Sequence, residues 1–265
     1  MDNYIFTKKY DTNIYIDYKD LTAHDKDINY MILLRNINNW IISLDHSLQI
    51  NALNELRRLL RFNLGKFEFL FSNIYKTVAI LINSINDEVS KTALILINEM
   101  FSNDKYNEWM EVKSWVTTLI PPVADKAVTV QTHIFKDLAL EAFKNLSNNI
   151  FVNEAHQVLL DYIEDNLEKK NINLIIDLAF NTLDSLFINN DEEQFKQILD
   201  WGEILKSLYE LYNHENQFLK SRIESLLLIT EQKVGEKILC DIMEENVPTD
   251  VYNSLLEIIL KSKKV

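Results

Sequence analysis

Glycine and proline are scarce in this chain: three glycines (Gly65, Gly202, Gly235) and three prolines (Pro121, Pro122, Pro248) in 265 residues. A sheet-rich fold needs more turn glycines than that, so the shortage points to helices. Cysteine is nearly missing too. Cys240 alone excludes an internal disulfide framework and a cysteine-based zinc site, suits a reducing compartment, and reads as a small apolar core residue. Basic residues are outnumbered, 27 against 40 acids, for a net charge of −13 and a pI near 4.9. That balance excludes a generic nucleic-acid binder, which needs an excess of Lys and Arg at the phosphates. No apolar run reaches the roughly 18 residues of a membrane span, and the polar start MDNYIFTKKYDTN has no signal-peptide core. The expectation is a soluble, cytoplasmic chain with neither a nucleic-acid nor a membrane partner.

What the chain does have is apolar residues, 47% of the total, placed in one recurring helical phase. From Leu48 the stripe runs through Ala52, Leu53, Leu56, Leu59 and Leu60. The same offsets return as Val89, Ala93, Leu94, Ile97, Met100 and Phe101, then Phe135, Ala139, Leu140, Phe143 and Leu146. They return again as Ile175, Ala179, Phe180, Leu183, Leu186 and Phe187. Weaker copies start at Phe218 and Val251. The repeat length, roughly 33 to 46 residues, is that of HEAT or armadillo units. A small residue four positions into each strong copy, Ala52, Ala93, Ala139 and Ala179, lets paired helices approach closely. The expected fold is all-α, a solenoid of about six HEAT-like helix pairs spanning one domain, residues 26–265.

Partner helices are expected over 28–43, 66–85, 107–120, 153–167, 192–212 and 231–245, each followed by a short polar turn that caps the register helix. The capping residues are Asp45 or Ser47, Asn86 or Asp87, Thr132, Asn171, Asn216 and Thr249. The third turn, AVTVQTH after a break at Pro121-Pro122, is expected to be the longest and to project furthest. Residues 1–25 fall outside the register. YIFTKK and NIYIDY read as an extended arm that either covers the open end of the first repeat or docks onto a larger assembly.

Catalytic signatures are missing: no G-x-G-x-x-G, P-loop, H-E-x-x-H or G-x-S-x-G occurs. The histidines, His24, His46, His133, His156 and His214, never stand at i and i+4 and read as surface or turn residues, not ligands. The carboxylate runs Asp191–Glu193 and Glu244–Glu245 read as solvated charge. Neither an enzyme nor a cofactor or metal site is expected.

NDEVSKTALILINEMF (86–101) resembles the second repeat of TOG domains, particularly those of the crescerin (TOGARAM) family. LIPPVADKAVTVQTHIFKDLALEAFKNLSNNI is similar to the next TOG and CLASP repeat, with Lys136 and Asp137 at the family's Arg-Glu pair and Ala142 and Phe143 at its Ala-Leu. The resemblance covers about residues 39–150. It implies a six-repeat domain that binds αβ-tubulin through its intra-repeat turns, in a cytoskeletal or ciliary protein. The implied contact residues are Asp45, His46, Asn86, Asp87, Lys91, Lys126, Thr132, His133, Lys136, Lys169, Lys170, Asn216 and Lys220. Two departures keep a second expectation open, a TOG-like scaffold or homo-oligomerising module that has lost tubulin. His46 falls where tubulin binders carry an exposed Trp, and Asp87 and Glu88 put negative charge beside an acidic partner.

Overall fold

The computed structural model describes residues 16, 18–25, 27–102, 112–129, 133–148, 152–189 and 201–263. Among them are twelve α-helices and no strand. In chain order these are α1 (Tyr30–Ile41), α2 (His46–Phe62), α3 (Leu64–Ile82), α4 (Asp87–Phe101), α5 (Val112–Thr129) and α6 (His133–Asn148). There follow α7 (Val152–Glu164), α8 (Ile172–Asn189), α9 (Trp201–Tyr212), α10 (Gln217–Val234), α11 (Glu236–Asn246) and α12 (Thr249–Ser262). The fold is an α-solenoid of HEAT-like pairs. The chain divides into two compact units, Met1–Leu146 and Ser147–Val265.

In the first unit each helix packs on the one two places ahead: α1 and α3 on α3 and α5, and α2 on α4. This two-layer stacking is what a repeat with one apolar stripe per helix must adopt to bury it. The small column holds as expected, with Ala52, Ala93 and Ala139 wholly buried. Phe67 stacks on Phe71, and Phe71 meets the buried Trp115 edge-on with ring centroids 5.0 Å apart, filling the layer between α3 and α5. Side chains cross-link α4 and α6, where Asn98 donates to the Leu138 carbonyl and accepts from Asn145 Nδ2 at 3.0 Å.

The second unit repeats the pattern, α7 against α9, α9 against α11, α8 against α10 and α10 against α12. Ala179, Phe180, Leu183, Ile223, Leu226 and Leu255 are its buried seam. Arg222 of α10 reaches Asn181 and Asp184 of α8 at 2.7 and 3.0 Å. Tyr212 donates to Glu224 at 2.9 Å, and burial followed by that hydrogen bond pushes its phenol up to about 12.

Several expectations need correction. α5 does not stop at Pro121-Pro122 but carries both through to Thr129. Ile120, Val123 and Ala124 around them are wholly buried, so packing overrides the local helix-breaking tendency. The expected third turn, from Ala127, is thus helical as far as Thr129; 130–132 lie outside the described residues, and the turn at 165–171 is longer than the stretch left between α5 and α6. The pair helix expected from Glu231 starts at Glu236, because α10 runs on to Val234 and Gly235, at φ 89°, ends it. Thr249 is the first residue of α12, behind Pro248, and makes no capping bond. His156 is fully buried in α7, not on the surface, and Cys240 is half-buried, not core. The extended run YIFTKK (4–9) lies outside the described residues, as does all of NIYIDY (13–18) except Ile16 and Tyr18.

Candidate functional site

Three of the turns that join the helices of a pair end in a side chain that caps the following helix. Asp45 Oδ1 accepts from the Ser47 amide at 2.8 Å, and Asn86 Oδ1 accepts from the Val89 amide at 3.1 Å. Each satisfies an amide that the helix start leaves without a partner. Asn86 also reaches sideways, its Nδ2 donating to His46 Nδ1 at 3.2 Å, so the cap of the second turn is tied to the first residue of α2. The second unit uses the same device: Asn216 caps α10 through the Leu219 amide at 3.0 Å and donates to Asn173 Oδ1 of α8 at 3.2 Å. Within each unit, adjacent turns are locked side by side.

On the first unit these locked turns present aliphatic side chains to solvent. Leu44 is 96% exposed and Ile85 94% exposed, each immediately before the capping residue. Ile42 and Ile80, at the same end of their helices, are exposed as well. An apolar residue in that position ordinarily folds back onto the fourth helical residue. Here those residues are Gln49 and Ser90, polar side chains that offer no such cover. Sequence reasoning passed over this strip, although the absence of an apolar partner at Gln49 and Ser90 was there to be read.

The other expected contact residues fall around it. Asp87 is exposed in the first turn of α4 with Glu88, and Lys91 lies 3.9 Å from Glu88. Lys126, near the end of α5, sits over the Phe135 ring at 5.0 Å. Burial lowers its ammonium below the ordinary lysine value, and Asp87 opposes that shift. Lys136 is half-buried in the first turn of α6, which His133 begins, while Thr132 lies outside the described residues. In the second unit Lys169 and Lys170 are exposed in 165–171, and Lys220 lies over Tyr212 at 5.5 Å. The structure thus brings Asp45, His46, Asn86, Asp87, Lys91 and Lys126 to one edge of the first unit, and Asn216 and Lys220 to one edge of the second. His46 is half-buried against Asn86, so the projecting group of the first turn is Leu44.

No group of three or more His, Cys, Asp or Glu that could hold a metal occurs among the described residues, and none of their helices is long and apolar enough to cross a membrane. No protein-family model and no curated protein matches the sequence. Solved structures do. The chain is similar to the TOG domain of Zyg9 from C. elegans, at 12% identity and a TM-score of 0.57, covering 92% of each chain. It is also similar to crescerin, which uses a TOG domain array to regulate microtubules in the primary cilium. That match has 14% identity and a TM-score of 0.53, and covers 89% of this chain and 90% of that one. This chain spans 45% of the length of a TOG-array microtubule polymerase chain that it also matches, at a TM-score of 0.48 and 16% identity. Helix pairing, the buried alanine column and the similarities to the Zyg9 and crescerin domains agree: the chain has a TOG-like fold.

Proposed function

We propose that this chain is a non-catalytic protein-binding module of the cytoskeleton, that residues 26–265 act as one such module, and that it docks αβ-tubulin through its intra-repeat turns. The observation that carries the reading is the pair of turns at Leu44 and Ile85. Two large aliphatic side chains stand almost entirely in water on a backbone cross-tied through Asn86 and His46. Monomeric proteins seldom hold such groups together in the open without a partner to cover them. Rigid turns on a stacked scaffold also lose little entropy on binding. Leu44 supplies the apolar anchor of the first turn, two residues before His46, which stands where the resemblance assigns a tryptophan. Lys126, Lys136, Lys169, Lys170 and Lys220 are the cations offered to an acidic partner, with Thr132 and His133 in the third turn.

A second reading, a scaffold that joins other proteins or a second copy of itself, is favoured by the exposed Asp87 and Glu88 beside Ile85, which repel an acidic surface. Size-exclusion co-elution with αβ-tubulin at low salt separates the two. The tubulin reading expects a complex that Leu44→Asp with Ile85→Asp abolishes. A chain that never co-elutes, yet self-associates through the same two residues, supports the scaffold.

A further inference from the structure

The C-terminal half of α2 is buried where the sequence offers polar groups. Asn54, Glu55, Arg57 and Arg58 are all buried, Arg57 completely. The segment before α1 lies against this face. Arg57 Nη1 donates to the Ile16 carbonyl at 2.8 Å, and Arg61, one turn on, donates to the Leu21 carbonyl at 3.4 Å. Leu21 is 2% exposed, and His24 Nε2 bonds Glu55 Oε2 at 2.7 Å. The groove is prearranged: Glu99 of α4 holds Arg57 through two hydrogen bonds of 2.8 and 2.6 Å, and Arg58 holds the other Glu55 oxygen at 2.8 Å.

These contacts have the pattern of peptide recognition. Two guanidinium groups at i and i+4 on one helix grip main-chain carbonyls, which every sequence possesses. One apolar seat takes a leucine, and one carboxylate takes a hydrogen-bond donor three residues later. The rest of the segment stays in solvent: Lys19, Asp20, Thr22, Ala23 and Asp25 are exposed.

We propose that this face of α2 is a peptide-binding groove, filled in cis by Ile16 and residues 18–24, whose ligands are short segments with one 3-10 turn ahead of a leucine that is followed three residues later by histidine. The tether gives the chain's own segment a high effective concentration, so a partner segment enters only when the arm is displaced. The site lies roughly three helical turns along α2 from Leu44 and shares no residue with the turn strip, so it stands or falls apart from the docking reading.

The test uses the full chain. Leu21→Asp with His24→Ala releases the arm, and the probe is a fluorescein-labelled peptide of residues 16–25, IDYKDLTAHD. Anisotropy should show saturable binding to the released chain, at least tenfold tighter than to the unaltered chain, and none for a probe carrying the same two substitutions. Adding Arg61→Ala to the released chain should weaken binding severalfold with the helical spectrum unchanged. The proposal is overturned if the released chain keeps its helical spectrum but binds no peptide, or if both chains bind equally. It is also overturned if releasing the arm unfolds the chain, since the segment is then part of the core.

Discussion

Replacing Arg57 by Met removes a wholly buried side chain that makes four hydrogen bonds. Arg57 makes two hydrogen bonds to Glu99, one to Asn54 and one to the Ile16 carbonyl, and none of its surface meets water. Methionine fills most of the volume, so cavity cost is small and the loss is electrostatic. Glu99, whose side chain is only 14% exposed, is left without its counter-charge. Breaking a buried pair from one side costs about 3–5 kcal/mol, and Glu99's residual exposure puts the expectation at the lower end, near 3 kcal/mol. That is a large share of the roughly 5–15 kcal/mol holding a domain together. Arg57→Met with Glu99→Met leaves no orphan charge and should recover at least half the loss. Urea unfolding followed by circular dichroism gives all four corners of the cycle. A single-variant cost below about 1 kcal/mol, or a double variant no better than Arg57→Met, would refute the reasoning.

Other expectations follow from the same geometry. Ala93→Leu at the wholly buried crossing of α2 and α4 should cost about 1–3 kcal/mol by overpacking, and a neutral midpoint in urea would mean the alanine column is misassigned. Asn86→Ala removes both a cap and the tie to His46 and should cost about 1–2 kcal/mol, more than Asp45→Ala, which loses a cap alone. Burial holds the Asp184 carboxyl above the usual carboxylate range, with Arg222 pulling it down and Asp177 pushing it up. The folded chain therefore holds this proton more tightly than the unfolded one. The contribution is fully present below the ordinary carboxylate value and is lost as pH rises through the raised one. Stability of the parent relative to Asp184→Asn should accordingly grow as pH falls from 7 to 4, and a flat difference would contradict the assignment.

The repeat was legible because a solenoid writes the same stripe in every helix: Ala52, Ala93, Ala139 and Ala179 stand in phase and all are buried. Caps were legible where one polar residue precedes the stripe, as at Asp45, Asn86 and Asn216. The α5 boundary was not, since local proline chemistry argued for a stop and the burial that overrides it comes from α3, distant in sequence. The covered face of α2 was hidden for a similar reason. Asn54, Glu55, Arg57 and Arg58 have the composition of a solvated surface, and they are buried in a face that meets Glu99 of α4 and the crossing segment with Leu21 and His24. At the candidate site, sequence pointed to the charged residues of the turns and passed over Leu44 and Ile85, the large apolar groups that stand almost wholly in solvent there.

The central claim, that the locked turns of the first unit are the docking edge, is tested most directly by amide hydrogen exchange on the full chain with and without saturating αβ-tubulin. The account predicts new protection concentrated in residues 42–46 and 83–87, lost in Leu44→Asp with Ile85→Asp. Protection confined to other segments, or unchanged exchange at those turns while tubulin is bound, would contradict it.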